Sequence, residues 1–299
     1  MTRRLCLLLL LAAGVVGGWA TPALAHAGGL VATDARSRVA SVSPAVPGLS
    51  VTTVEDGAKL RLVNRTGSPV IVPGAPTAPS SPTTSGVAPA PGATIAPGSS
   101  LTWADSRSSP VGRRSGGDWS LALDVGGTPV VVRGVFDWFA PPPFVLWWAG
   151  VAALAVAVPV LCRRVRRGDL ALTTAGLAAM AASIAHVIGS SLAVTSAPLL
   201  GTFVNAAGIN LLAWPLIAGG AVAVLRGKPA GLLAVCAGAA LTGVFVLPDV
   251  TSFHRSVLPF AGPGVVERIL VVVALGGGAG AAVAGASVLR TLAARQEAA

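Results

Sequence analysis

Long uncharged apolar runs fill the second half of the chain. A helix needs about 20 apolar residues to cross a bilayer, and five runs are close to this length or exceed it. They lie roughly at 144–161, 170–194, 203–225, 229–247 and 265–289. The pattern therefore predicts a transmembrane α-helical bundle of five helices over residues 143–290, followed by a short tail at 291–299.

The chain before residue 143 has a different pattern, in which short runs rich in Val, Leu and Thr alternate with polar residues. These runs are RVASV (38–42), LSVTTV (49–54), KLRLVN (59–64), PVIVP (69–73), SLTWA (100–104), WSLALDV (119–125) and TPVVVRGVFDW (128–138). Seven short strands predict a small all-β, sandwich-like domain over residues 26–142. Turn residues in NRTGS and VGGTP predict two hairpins, one joining the third and fourth runs and one joining the last two.

Residues 73–100 interrupt this pattern with a low-complexity stretch of Pro, Ala, Ser and Gly. Such a composition has too little apolar surface to offset the entropy of ordering a chain. We therefore expect a long mobile loop within the β-domain.

The start of the chain has the form of a signal peptide. Two arginines and a short apolar run precede Ala-Leu-Ala, which ends at Ala25 and matches a signal-peptidase site. Residues 1–25 are therefore predicted to be removed, which would export residues 26–142. Cleavage there would leave His26 first, with a free amine and an imidazole on one residue.

Charge adds an orientation to this architecture. Hydrophobic residues make up 53% of the chain, charged residues 11%, and the net charge is +10. The basic residues beside the apolar runs are Arg163, Arg164, Arg166, Arg167, Arg226, Lys228, Arg290 and Arg295. With five alternating helices these all fall on one side, which the positive-inside rule assigns to the cytoplasm. The excess charge thus predicts a multi-pass plasma-membrane protein with an extracytoplasmic N-terminal domain and a cytoplasmic C-terminus, and lipid rather than nucleic acid as its partner.

Few polar residues lie within the predicted helices. His186, Asn205 and Asn210 are the intramembrane polar candidates, and an ionisable residue at that depth is by default a functional hypothesis. The alternative is structural, with His186 held by an asparagine or a backbone carbonyl. Runs rich in Gly and Ala at 234–243 and 276–287 predict close helix packing, either inside the bundle or in a homo-oligomer.

The candidate metal site centres on His26. A Cu(II) site built on an amine and an imidazole needs a further ligand, and the β-domain has no second histidine. Asp105 is a candidate oxygen ligand, and His254 could contribute if the domain folds onto the loops of the bundle. No catalytic residues are predicted, because the β-domain has neither a nucleophile motif nor a histidine base besides His26.

A resemblance adds to these predictions. Residues 34–74, the WADSR segment at 103–107 and WSLALDVGGTPVVVRG at 119–134 resemble a group of actinobacterial multi-pass membrane proteins of undefined function. The resemblance implies an exported β-domain followed by a helical bundle. A mature His-Ala terminus on a β-sandwich is more remotely similar to periplasmic copper-resistance domains.

Two function hypotheses follow. The first is a non-catalytic membrane protein without a cofactor, whose β-domain binds an envelope partner. The alternative is a copper-handling membrane protein that uses the His26 chelate.

Overall fold

The structure is a computed structural model and describes residues 27–73 and 92–297. Eight strands precede six α-helices within these residues. The strands are β1 Ala35–Ser43, β2 Leu49–Val54, β3 Lys59–Asn64, β4 Val70–Val72, β5 Ala93–Ile95, β6 Ser100–Trp103, β7 Asp118–Val125 and β8 Thr128–Trp138. The helices are α1 Phe144–Arg164, α2 Gly168–Leu192, α3 Leu199–Ala207, α4 Asn210–Leu225, α5 Ala230–Val246 and α6 Gly264–Glu297. The predicted order, a β-region followed by apolar helices, is confirmed.

The strands form two antiparallel sheets that share one core. The larger sheet has the order β1-β8-β7-β4-β5 and the smaller one β2-β3-β6. Alternate residues point inward, as in β7, so that Leu62 and Trp103 of the small sheet meet Leu121 and Val132 of the large one. Burial of such a side chain contributes about 1.5–3 kcal/mol, and this core holds the β-region together.

One of the two expected hairpins is present. β7 and β8 pair directly through Gly126 and Gly127, as predicted. The prediction of a hairpin between β3 and β4 is wrong. β3 pairs with β2 and β6, whereas β4 pairs with β5 and β7. The amide of Asn64 donates to the carbonyls of Ser68 and Ile95, at 3.0 and 2.9 Å, and accepts from the Thr66 N–H. This turn passes the chain from one sheet to the other.

The loop expected at 73–100 is shorter than predicted at its C-terminal end. Residues 74–91 lie outside the described part of the chain, but β5 pairs with β4 and buries Ile95 in the core. Three residues of the alternating type are enough to add a strand beside β4.

The third predicted membrane run is broken. α3 and α4 meet at a 70° bend instead of forming one helix. Gly208 lies at the break with φ of +48°, and a Cβ added there would lie 2.5 Å from the Phe245 ring. Among the described residues, four helices are long and apolar enough to cross a membrane, or five if the bent pair is one span.

Small residues bring the helices together inside the bundle. A Cβ on Gly278 of α6 would lie 2.5 Å from the carbonyl oxygen of Ala239 in α5. Gly220 of α4 and Gly231 of α5 approach each other in the same way. The Gly- and Ala-rich runs are thus used for internal packing, as the first of the two sequence alternatives expects.

The β-region contacts one end of the bundle, here called the junction end. Thr33 and Val257 exchange backbone hydrogen bonds of 2.9 and 2.8 Å, and Arg255 pairs with Asp34. The Ser256 hydroxyl donates to the Ala140 carbonyl at 2.6 Å. The loop at 254–258 is therefore tied to both ends of the β-region.

A second contact joins the β-region to the loop after α2. Glu55 accepts from the backbone N–H groups of Thr195 and Ser196 at 3.0 and 2.9 Å. Lys59 donates to the Ser196 hydroxyl at 2.7 Å and lies 3.0 Å from Glu55. Both charged side chains are buried, so the contact excludes water.

Candidate functional site

A histidine and a carboxylate meet at the junction end of the bundle. His186 lies near the end of α2, and Asp249 lies in the 3₁₀ turn Leu247–Phe253 that follows α5. Nε2 of His186 is 3.2 Å from Oδ2 of Asp249, and each side chain is 5% exposed. A polar pair at this depth is costly unless its members satisfy each other, so it marks the strongest candidate site.

The first turn of α6 adds two more charged groups. Glu267 is fully buried in this turn. Arg268 donates to the carbonyls of Ser252 and Arg255 at 2.8 and 2.7 Å, and its guanidinium lies 5.9 Å from the Trp147 ring centre. Arg268 thereby satisfies carbonyls at the end of the 3₁₀ turn and fixes the segment that carries Asp249.

The pair borders a small cavity, here called the His186 pocket. Its lining consists of Ala27, His186, Val187, Ser190, Ala206, Asn210, Phe245, Val246 and Asp249. The space has room for about one water molecule. Asn210 is fully buried. Within the described part of the chain, its amide oxygen and nitrogen have no hydrogen-bond partner, and the hydroxyl of Ser190 has none either. Buried polar atoms are nearly always satisfied, and the space beside these two side chains is large enough for a water molecule that bonds to both.

The start of the described chain reaches this pocket. The 3₁₀ turn Ala27–Gly29 precedes Leu30, and both Ala27 and Leu30 are buried against Val194 and Ala206. Gly29 has φ of +72°, which lets the chain turn away towards β1. The segment after the predicted cleavage site therefore packs into the bundle instead of extending from the β-region.

The structure separates the other polar candidates. Asn210 lies in the His186 pocket, whereas Asn205 is exposed on α3. His254 is exposed, stacks on Phe144 at 5.0 Å and receives the Trp148 indole N–H at 3.4 Å. His26 lies outside the described residues.

Asp105 is bound within the β-region. Its carboxylate accepts from the Trp103 indole N–H at 3.1 Å and from the Arg107 backbone and guanidinium N–H groups at 2.7–2.9 Å. Burial alone would raise the pKa of Asp105, but the bonds from Arg107 and Trp103 outweigh it and hold that pKa below its usual value. The carboxylate thus organises the turn after β6.

The sequence named an asparagine or a backbone carbonyl as the structural partner of His186, and the structure adds the carboxylate of Asp249. The sequence placed Asp249 in a loop, because Pro248 and Asp249 end the apolar run. The apolar residues after Asp249 could have indicated that the chain stays inside the bundle. The 3₁₀ turn continues the helix as far as Phe253, which is buried.

Residues 27–73 and 92–297 contain no group of three or more His, Cys, Asp or Glu side chains that could hold a metal ion. The His186 pocket offers one imidazole and one carboxylate, which are two donors. A metal ion there would need further donors from elsewhere in the chain.

No family model, curated protein or solved structure matches this chain. The resemblance found in the sequence stays a prediction.

Proposed function

We propose that the chain is a non-catalytic integral protein of the plasma membrane, with its β-region outside the cell and fixed on the outer end of the helical bundle. The proposed orientation is supported by the positions of the loops that contact the β-region and of the loops that carry basic residues. The β-region contacts the loops at 194–198 and 254–258, whereas the basic clusters at 163–167 and 226–228 lie in the alternate loops. Arg255 is the exception, and it is paired with Asp34. Positive charge in the loops away from the β-region supports a cytoplasmic location for that end.

The charged groups at the junction favour a structural use over catalysis. Glu55 and Lys59 bind each other and the loop after α2, and Asp34 binds Arg255. These contacts hold the β-region in one position on the bundle. A β-region so fixed can present its outer surface to an envelope partner, which is the role we propose for it.

Reporter fusions test this proposal. Alkaline phosphatase, which is active only outside, should be active after Ala197 and Ser256 and inactive after Arg167, Lys228 and Ala299. A fluorescent protein that matures only in the cytoplasm serves as the matched control and should give the opposite pattern. An active phosphatase fused after Lys228 or Ala299 would contradict the orientation.

Metal handling is a second candidate, favoured by one observation. Ala27, which follows His26, lines the pocket that contains His186 and Asp249. His26 itself lies outside the described residues, so copper handling stays the second proposal.

A further inference from the structure

We propose that the outward side of the smaller sheet, centred on Arg61, binds the phosphate group of an anionic lipid in the outer leaflet of the membrane. This surface, here called the Arg61 face, consists of Ser50, Thr52, Arg61, Val63, Ser100 and Thr102. The proposal rests on the orientation proposed above, which places the β-region outside the cell, and it adds a lipid partner of stated chemistry.

Strand pairing builds the Arg61 face. Thr52 of β2 and Thr102 of β6 are the register partners of Arg61, one on each side of it. In the next row of the same face, two serines flank Val63 in the same way. Directly paired side chains lie on the same side of a sheet, with Cβ atoms about 4.5–5.5 Å apart. One guanidinium group and four hydroxyl groups therefore share the outward side of this sheet.

Unlike four other basic residues of the β-region, Arg61 has no carboxylate partner. Those four lie 2.7–3.0 Å from a carboxylate oxygen, and they are Arg36, Arg38, Lys59 and Arg107. Arg61 forms no ion pair or side-chain hydrogen bond with any residue that the structure describes. Strands β2, β3 and β6 also contain no acidic residue. An exposed positive charge without compensation inside the protein favours an anionic ligand.

The Arg61 face begins at the end of the β-region that contacts the bundle. Lys59 lies two residues before Arg61 on the same strand, and its ammonium group donates to the Ser196 hydroxyl at 2.7 Å. Ser196 belongs to the loop after α2, which is one of the helices long and apolar enough to cross a membrane. Positions two residues apart on a strand are separated by about 6.8 Å. Arg61 is therefore one row farther from the bundle than Lys59.

The same loop leads to apolar side chains that the bundle does not cover. Leu199 and Leu200 begin α3 and are 53% and 77% exposed. Exposed apolar patches of this kind mark contacts with lipid or protein, and beside a transmembrane bundle we assign this one to lipid. The headgroup layer adds about 5–8 Å on each side of the hydrocarbon core, which is close to the one row between Lys59 and Arg61. Lipid headgroups beside α3 are thus within reach of Arg61.

The groups on the Arg61 face suit a phosphate. A guanidinium group donates two parallel N–H bonds to phosphate oxygens, and the hydroxyls of Thr52 and Thr102 each have a further O–H to donate. The attraction of one basic residue to an anionic membrane surface corresponds to about a fivefold change in binding. A zwitterionic lipid has the same phosphate, but its own ammonium group compensates the charge. The Arg61 face should therefore prefer phosphatidylglycerol to phosphatidylcholine.

The test uses the full chain purified in detergent, with phosphatidylglycerol as the probe. Native mass spectrometry measures the lipid that stays bound as the probe is titrated. Arg61→Met should weaken the binding of phosphatidylglycerol by about fivefold and leave the weaker binding of phosphatidylcholine unchanged. Arg133→Met is the matched control, because Arg133 is an exposed arginine on a strand of the larger sheet, and it should bind as the unaltered protein does.

Three results would overturn the proposal. The first is equal binding of phosphatidylglycerol by the two variants, and the second is an equal loss of both lipids in Arg61→Met. The third comes from a parallel titration with soluble polyphosphate: if Arg61→Met weakens only the binding of polyphosphate, the face binds an anionic polymer instead of a lipid. Lipid added in detergent reaches every face of the protein, so these results do not depend on the orientation. Failure of lipid binding leaves the proposed orientation standing, whereas reporter fusions that place the β-region inside would contradict both.

Discussion

Nε2 of His186 and Oδ2 of Asp249 lie 3.2 Å apart although the two residues come from different helical segments of the bundle. The pair joins the end of α2 to the 3₁₀ turn after α5, at the end of the bundle that carries the β-region. Arg268 binds carbonyls of the same turn and its following loop. The stability of the junction end therefore depends on a few buried polar contacts.

Replacing Asp249 by Ala should destabilise the bundle. His186 would lose its contact with the Asp249 carboxylate, and loss of such a buried hydrogen-bonding contact costs about 1–3 kcal/mol. Thermal unfolding in detergent should show a melting temperature lowered by several degrees. Asp169→Ala is the control, because Asp169 is an exposed acid at the start of α2, and it should have little effect. Equal melting temperatures for the two variants would show that the pair contributes nothing.

Replacing Lys59 by Met should loosen the junction. Glu55 would stay buried without the ammonium group that lies 3.0 Å away, and Glu55 itself has a strained φ of +55°. We expect a lower free energy of unfolding and faster proteolysis between the β-region and the bundle. Arg61→Met alters an exposed residue on the same strand and should leave both measurements unchanged. A Lys59→Met protein as resistant as Arg61→Met would count against a water-excluding contact.

Asp105 should make the stability of the β-region depend on pH. Its pKa is lower in the folded protein than in the unfolded chain. Its contribution is therefore fully present above the ordinary aspartate pKa of about 3.9 and is lost as the pH falls through the lower folded value. Asp105→Asn should cost about 2 kcal/mol at pH 7 and remove this part of the acid dependence. Denaturant unfolding from pH 7 to pH 3 measures both, with the exposed Asp118→Asn as control; an unchanged acid dependence in Asp105→Asn would contradict the assignment.

The sequence predicted features that depend on a repeated pattern and missed those that depend on single residues. Alternation revealed the strands and apolar length revealed the helices, because each averages over many positions. The sequence did not predict the break at Gly208, because apolar residues continue on both sides of it. The Phe245 ring, which fills the space beside Gly208, comes from α5. The sequence could not predict the pairing of His186 with Asp249 either, because the pairing depends on how two distant segments pack.

The β-region should tolerate removal of residues 75–90 but not of the strand that follows. This segment is poor in apolar residues, and loop closure depends weakly on length. A short Gly/Ser linker in its place should leave the melting temperature within a few degrees. Ile95→Ala, by contrast, opens a cavity in the core and should cost about 2–5 kcal/mol. A linker variant as unstable as Ile95→Ala would show that the segment packs as structure.

The central claim is that the segment before β1 is fixed on an outer loop of the bundle, and a disulfide between Thr33→Cys and Val257→Cys tests it most directly. These residues exchange backbone hydrogen bonds of 2.9 and 2.8 Å. The Cα atoms of such an antiparallel pair lie about 5.5 Å apart, within the range that a disulfide spans. We predict that the double variant forms the bond on export without added oxidant, as seen by mass spectrometry, while each single variant does not. Two free thiols that both react with a membrane-impermeant maleimide would contradict the docking. Because both positions are buried in the docked protein, the orientation is contradicted instead by a bond that forms only after the cells are lysed.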